Sequence, residues 1–390
     1  MNLRKMEGGA GMPPVYVLIK PASSACNMAC RYCFYRDVSD HREHSFEGML
    51  TLQSMEKTIA AAMEFAEGSC TFGFQGGEPT LRGLDFFRQV IQIQNRLRKP
   101  GVQIFNSIQT NGLCIDEEWA QFLSEHHFLV GLSIDGPGNL HDLNRVDRQG
   151  SGTADRVLHT AKLFDKYHVE YNILCVVTGK NAQNIGDIYR FFPKNNFEYL
   201  QFIPCLEPMD QVRGKESYHL SVDDYGEFLI HIFDLWFEDL KKGHYVSIRH
   251  IDNWIGILLG QRPEACSMNG RCSIQFVVEG DGSVYPCDFY VTDEWRLGNV
   301  STETFAQMLR SPKAQSFIAA SVPLPEECRT CPILNLCRNG CRRDRLMTSH
   351  GTLGKTYYCK AHQRFFTARR QQILQARSII LQMRQAYRPQ

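Results

Sequence analysis

The chain contains no apolar run long enough to cross a membrane; its longest hydrophobic stretches are strand-sized. It has no excess of charge. With 43 Lys and Arg against 42 Asp and Glu, the formal net charge is +1, and no strong field draws in nucleic acid or an anionic membrane. The amino terminus, MNLRKMEGGAGM, lacks the apolar core of a secretory signal. Low-complexity linkers are missing, as are repeats beyond a recurring strand–helix unit. These absences point to a cytoplasmic protein, monomeric by default, with neither a nucleic-acid nor a membrane partner. What is present is globular composition. A chain of 390 residues, 43% hydrophobic and 22% charged, can bury a sizeable core as two domains or as one barrel with an extension.

Fifteen cysteines do not fit an ordinary cytoplasmic enzyme. In a reducing compartment disulfides are rare, and cysteines grouped at short spacings usually bind metal. An odd count also argues against complete pairing. Cys26, Cys30 and Cys33 form one group; Cys266, Cys272, Cys287, Cys328, Cys331, Cys337, Cys341 and Cys359 form another. Cys70, Cys114, Cys175 and Cys205 are scattered. Of these, Cys175 lies within a strand-like run and Cys205 ends one, and both read as small buried hydrophobes.

Six strand-like segments occupy the first half: Val15–Lys20, Thr71–Phe74, Gln103–Gln109, Phe128–Ile134, Val169–Val177 and Tyr199–Pro204. Helical spacing of apolar residues follows each, at Leu52–Ala66, Leu84–Leu97, Glu117–Glu125, Ala154–Tyr167, Gln183–Phe192 and Asp223–Lys241. Six such units predict an α/β fold, a partial (β/α)6 TIM-like barrel over residues 15–246 behind an unstructured lead, 1–14. The rhythm changes after about residue 247. Gln275–Glu279 and Ser283–Pro286, joined through Gly280-Asp281-Gly282, read as a β-hairpin. The rest of 247–359 has little apolar material, so metal must substitute for burial. Residues 360–390 carry seven Lys or Arg and no acid, and predict a single closing helix with a solvated basic face.

Cys26-x3-Cys30-x2-Cys33 follows the first strand, where α/β folds build their sites. Three thiolates cannot fill four positions around a four-iron cubane, so one iron stays open to an external ligand. A zinc loop completed by His41 or His44 is the alternative. CNMACRYCF resembles the CxxxCxxC motif of radical S-adenosylmethionine enzymes. In that family the cluster's free iron binds S-adenosylmethionine, which one electron cleaves to a 5′-deoxyadenosyl radical. Gln75-Gly76-Gly77-Glu78-Pro79 is similar to the family's GGEP motif, which receives the amino group of the cofactor. The resemblance implies further that Ser133 and Arg145 serve its ribose and carboxylate, that Leu206 borders the adenine, and that Tyr32 lines the site.

From thiol spacing alone, the eight C-terminal cysteines permit two iron–sulfur clusters, one cluster with one zinc, or two zincs. A disulfide framework is the remaining alternative. Their run resembles the SPASM domain, which carries two auxiliary [4Fe–4S] clusters. The resemblance assigns Cys266, Cys272, Cys287 and Cys341 to one, and Cys328, Cys331, Cys337 and Cys359 to the other. With the first loop this makes three [4Fe–4S] clusters. Four-cysteine ligation leaves no open iron, so both auxiliary clusters would serve electron transfer.

The combination IKPASSACNMACRYCFY, FQGGEPTL, QTNG, LSIDGP, QFVVEGDGSVYPCDFY and WRLGN is similar to the anaerobic sulfatase-maturating enzymes, over nearly all of Val15 to Cys359. Such enzymes oxidise one Cys or Ser, in a Cys/Ser-x-Pro-x-Arg motif of a type I sulfatase, to Cα-formylglycine. The adenosyl radical removes a Cβ hydrogen, a carboxylate takes the thiol or hydroxyl proton, and an auxiliary cluster accepts the electron. Asp288, directly after Cys287, matches the base, while Tyr35 and Gln75 match positions near the substrate. The implied partners are an unfolded or nascent sulfatase segment and an electron donor such as ferredoxin or flavodoxin. The competing reading keeps the cofactors and makes thioether or carbon–carbon cross-links in a ribosomal peptide. Enzymes of that kind often carry a peptide-binding domain before the barrel, where this sequence has fourteen residues.

Overall fold

The structure is a computed structural model and describes residues 14–386. The expected unstructured lead, 1–14, lies almost wholly outside the described residues, as do 387–390 at the end of the closing segment.

Seven parallel strands form the framework: β1 (Val15–Ile19), β2 (Ser69–Phe74), β3 (Gln103–Thr110), β4 (Leu129–Ser133), β5 (Tyr171–Val177), β6 (Tyr199–Pro204) and β7 (Ser247–Ile248). They pair in sequence order, each strand beside the next. Helices start where a side chain can accept a free amide: Thr51 caps Leu52–Phe65, Asp116 caps Glu117–Glu125, and Ser221 caps Val222–Lys241. Their apolar faces bury Phe87, Trp119, Phe164, Phe192 and Trp236 against the sheet.

The barrel has one strand more than the six expected. β7 pairs with Tyr199 and Leu200 of β6, so the parallel sheet runs past residue 246. Two residues are too short for a periodic signal. The expected helix Gln183–Phe192 is two helices, Gly179–Gln183 and Ile185–Lys194, because Thr178 caps an earlier start and Asn184 turns its side chain back to the Lys180 carbonyl. A short helix unforeseen from sequence, Phe34–Asp40, continues directly from the cysteine loop.

The hairpin, β8 (Val277–Val278) and β9 (Ser283–Tyr285), is present, followed by β10 (Gly298–Asn299). It does not stand apart. β8 lies parallel to β1, making one ten-stranded sheet in the order β10-β9-β8-β1-β2-β3-β4-β5-β6-β7. This pairing carries Asp288, just past the hairpin, to the C-terminal end of β1.

The closing segment is two helices rather than one, Cys359–Ala368 and Arg370–Ala386, separated at Arg369. Its basic face is only partly solvated. Arg369 grips Asp234 through Nε at 2.6 Å and Nη2 at 2.7 Å, and Arg364 pairs with Glu227. Phe365 packs on Phe233 and Trp254, fastening the segment to the barrel's outer layer.

Candidate active site

The cysteine loop sits at the C-terminal end of β1 and is held from two sides. Ala29 and Arg31 donate their amides to the carbonyls of Val146 and Asn144, at 2.9 and 3.0 Å. Glu78 donates its amide to Ala25 at 2.8 Å. Gly76 and Gly77 have φ of 91° and 54°, and their neighbours leave no room for a side chain. A Cβ on Gly77 would lie 2.3 Å from the Ala25 carbonyl, and one on Gly76 would lie 2.5 Å from Lys20 Cε. The thiols of Cys26, Cys30 and Cys33 therefore converge beneath a glycine turn that only glycine can make. Burial pushes the Cys26 thiol up to about 12 and Cys30 to about 11. Such buried thiols ionise only with a cation among them, so the donor set fits a metal cluster.

Glu78 is buried, and protein donors hold its carboxylate in place, most of them on Oε1. Thr80 Oγ1 donates at 2.6 Å, Thr110 Oγ1 at 2.8 Å and the Asn111 amide at 2.8 Å. It ties the end of β2 to the end of β3. Asp135, beyond β4, is fixed as firmly: it accepts from the Val176 amide at 2.9 Å and from the Tyr32 hydroxyl. Arg145 Nε lies 3.1 Å from Asp135, and its guanidinium carbon 5.5 Å from the Tyr32 ring centroid. Burial opposes the Arg145 charge, and Asp135, Tyr32 and Cys30 together outweigh it. Ser133 ends β4 and Leu206 follows β6, both half-buried at the C-terminal edge of the sheet.

A second cluster of side chains lies between the cysteine loop and the hairpin. Asp288 Oδ2 accepts from Tyr35 Oη at 2.7 Å and from Gln75 Nε2 at 2.8 Å. Asp288 Oδ1 is buried without a partner. Burial pushes this carboxyl upward; Lys20, Tyr35 and Gln75 pull the other way. Three elements thus converge on one carboxylate: the helix after Cys33, the end of β2, and the turn after Cys287. Gln75 also lines a cavity of about 1180 Å³ in the barrel interior, with Tyr16, Gly73 and Ser107. The cavity reaches His127, Glu170 and Glu198, which precede β4, β5 and β6, so it runs the length of the strands. That volume suits a peptide segment better than a small metabolite.

Sequence reasoning missed the buried triad below Asp288. Glu279 Oε2 meets Lys20 Nζ at 3.0 Å and Arg42 Nη1 at 2.7 Å. Burial would raise the Glu279 carboxyl, but the two cations outweigh it and hold it below its ordinary range. The only sequence signal was a lysine ending an apolar strand. Asp135 was also missed, although it stands within the quoted LSIDGP motif.

In the C-terminal half, the thiol of Cys341 has Cys266 and Cys272 as charged neighbours, and Cys287 has Cys341 and Cys266. Cys337 has Cys359, Cys328 and Cys331. The structure brings these eight thiols together as two groups of four. All fifteen cysteines are free thiols. Of the scattered four, Cys70, Cys175 and Cys205 are buried, whereas Cys114 Sγ accepts from Asn27 of the cysteine loop at 3.2 Å.

Two family models match: the radical SAM superfamily over residues 21–192 and an iron–sulfur cluster-binding SPASM domain over 266–332. The cysteine-type anaerobic sulfatase-maturating enzyme of Clostridium perfringens (strain 13 / Type A) is 47% identical over 91% of this chain and 96% of its own length. The chain belongs to the anaerobic sulfatase-maturating enzymes. It is a radical SAM oxidoreductase with [4Fe–4S] clusters that converts a sulfatase residue to formylglycine. The serine-type enzyme of Bacteroides thetaiotaomicron is 31% identical over 90% of this chain and 89% of its own. The structure of native anSMEcpe with bound AdoMet and Cp18Cys peptide superposes with a TM-score of 0.90, at 44% identity, covering 94% of this chain and all of that one. Streptococcus suis SuiB bound to the precursor peptide SuiA shares the fold, with a TM-score of 0.64 at 16% identity over 89% of this chain and 76% of that one. No helix among the described residues is long and apolar enough to cross a membrane.

Proposed function

We propose that this enzyme prefers cysteine in a Cys-x-Pro-x-Arg segment of a type I sulfatase, and that Asp288 takes the thiol proton. The observation that carries this reading is the unpartnered, buried Oδ1 of Asp288, a carboxylate bonded to Gln75, which itself lines the peptide-sized cavity. Its other oxygen is already held by Tyr35 and Gln75, which orient the carboxylate and leave one lone-pair face for the substrate. The preference for cysteine rests on 47% identity to a cysteine-type relative against 31% to a serine-type one.

Cys26, Cys30 and Cys33 would hold the first cluster. The backbone of Gly76 and Gly77 would meet the amino group of S-adenosylmethionine, with Glu78 fixing the loop, Arg145 facing its carboxylate, Ser133 its ribose and Leu206 its adenine. Tyr32 acts by holding Asp135, which holds Arg145. When bound, the cofactors supply a 5′-deoxyadenosyl radical that takes a hydrogen atom from the substrate Cβ. Asp288 would receive the thiol proton beside Cys287, which with Cys266, Cys272 and Cys341 would hold an auxiliary cluster able to take the remaining electron, and water would hydrolyse the thioaldehyde with loss of sulfide. Cys328, Cys331, Cys337 and Cys359 would hold the other.

The working division is a barrel over 15–246, with the short β7 added at its edge, a SPASM domain over the rest of 247–359 and a closing segment, 360–390. The substrate is an unfolded or nascent sulfatase segment, since a residue on a folded surface could not enter the barrel. A ferredoxin or flavodoxin supplies electrons to a cytoplasmic monomer. The test is mass spectrometry of two peptides, one with Cys-x-Pro-x-Arg and one with Ser-x-Pro-x-Arg, after anaerobic incubation with reconstituted enzyme, S-adenosylmethionine and dithionite. Faster formylglycine formation in the cysteine peptide supports the preference; equal or faster conversion of the serine peptide removes it.

A further inference from the structure

Cys341-Arg342-Arg343-Asp344-Arg345 threads four charged side chains past the two groups of cysteines. Three of them find partners elsewhere. The Arg342 guanidinium lies over the rings of Phe317, Tyr290 and Trp295, 4.5, 4.9 and 4.8 Å from their centroids. Arg343 donates to the Glu207 carbonyl at 2.8 Å and lies 3.8 Å from Asp37. Asp344 pairs with Arg213 at 3.2 Å.

Arg345 is different. It is 6% exposed and, among the described residues, makes no ion pair with a carboxylate; its ionisable neighbours include Cys272, Cys341, Cys328 and Arg342. Its donors fan out over backbone carbonyls: Nη1 to Ser321 at 2.6 Å, Nε to Asn339 at 3.1 Å, and Nη2 to Gly270 and Gly340 at 3.3 Å each. Those carbonyls sit beside the cysteines. Gly340 precedes Cys341, Gly270 stands two before Cys272, and Asn339 stands two after Cys337. Ser321 also accepts the Cys272 amide, through Oγ at 2.8 Å. One guanidinium therefore braces backbone from both cysteine groups.

A buried cation with no anion to pair with is costly, and arginine cannot relieve the cost by losing its proton. Only the thiolates can balance it. A [4Fe–4S] centre on four thiolates is an anion that becomes more negative on reduction, so a fixed positive charge beside it favours the reduced form. We propose that Arg345 is the shared counter-charge of the two auxiliary sites, a positioning residue that raises both reduction potentials together. A charge placed between two centres moves their potentials in the same direction, which preserves the gap an electron must cross from the Asp288 edge inward. This inference rests on the assignment of the eight cysteines to two clusters.

The test uses the full-length chain with Cys26, Cys30 and Cys33 replaced by alanine, so that only auxiliary centres contribute. Iron content and potentiometric titrations followed by electron paramagnetic resonance are compared for this parent, Arg345→Gln and Arg345→Lys. The expected result is unchanged iron, both midpoints more negative in Arg345→Gln, and a smaller shift in Arg345→Lys. Unchanged midpoints in an iron-replete Arg345→Gln protein, or a shift in one centre alone, would overturn the proposal. If Arg345→Gln loses iron and Arg345→Lys keeps it, the midpoints of Arg345→Lys decide: both more negative supports the proposal, and unchanged values overturn it. Loss from both would make Arg345 a folding residue and overturn it. A parent without iron contradicts the cluster assignment, before any change at Arg345 is read.

Discussion

Tyr35 and Asp288 stand 253 positions apart in the chain and meet at 2.7 Å, the phenol donating to Oδ2 of the carboxylate. Tyr35 belongs to the helix that continues the first cysteine loop, and Asp288 follows Cys287. The contact thus links the helix after the first cysteine loop to the turn that follows Cys287. If Asp288 is the base, Asp288→Asn keeps the shape and removes the proton acceptor. Formylglycine formation should fall by about 10²–10⁴-fold. Cleavage of S-adenosylmethionine to 5′-deoxyadenosine should continue, because no cofactor contact is touched. Chromatography of both products from one reaction separates the two effects.

Removing one orienting donor should cost less. Tyr35→Phe leaves Asp288 Oδ2 with Gln75 alone, and Gln75→Ala leaves it with Tyr35. A hydrogen bond to a charged group contributes roughly 1.5–3 kcal/mol, so each change should slow turnover about 10- to 100-fold. The double variant should fall short of the product of the two, since both donors orient one carboxylate. Steady-state rates on the cysteine peptide check this.

The Lys20–Glu279–Arg42 triad joins β1, the segment after the cysteine loop and the hairpin. Its ion-pairing side chains are essentially inaccessible, at 0–1% exposed. Glu279→Gln strands two buried cations and should destabilise the fold by about 3–5 kcal/mol. Removing the two exposed pairs of Arg88 with Asp85 and Glu118, by Arg88→Ala, should change stability far less. Thermal melting of the two variants side by side is the measurement, with a much larger drop expected for Glu279→Gln.

His141 gives the fold a pH dependence. Burial pushes its imidazole down to about 4, against 6.5 when unburied. The Asp135 amide donates to Nδ1 at 3.2 Å, so the ring proton sits on Nε2, 3.1 Å from Thr153 Oγ1. Stability from the neutral ring is complete above pH 6.5 and is lost as the pH falls towards 4. The whole effect is on the order of 3 kcal/mol. Urea unfolding followed by tryptophan fluorescence between pH 7 and about 5 should show wild type losing stability more steeply than His141→Gln. Parallel slopes would rule out His141 as the source.

Much of this was legible from local pattern. Strands β1 to β6 and most of the long helices follow from alternation, helical spacing and caps such as Thr51 and Asp116. The cysteine groups stand out by spacing alone. What escaped reading depends on distant partners. Val277 gives no local sign that it will pair with Leu18, yet that pairing sets Asp288 beside Gln75. Arg42 and Glu279 look like surface charges until the fold buries them against each other. Glu78 is the instructive case. Its motif implied an acid that receives the cofactor's amino group, and the structure holds Oε1 with Thr80 and Thr110 while Oε2 accepts from the Asn111 amide alone. A motif identifies the loop, but hydrogen-bond bookkeeping decides which atoms remain free.

The most direct measurement uses a Cys-x-Pro-x-Arg peptide deuterated at the cysteine Cβ, incubated anaerobically with the reconstituted enzyme and unlabelled S-adenosylmethionine. Mass spectrometry then reads the peptide and the 5′-deoxyadenosine together. The expected result is formylglycine in the peptide and deuterium in 5′-deoxyadenosine, in matching amounts. Unlabelled 5′-deoxyadenosine with an unchanged peptide would contradict the account, because the radical would then be quenched elsewhere and the cavity beside Asp288 would not hold this substrate.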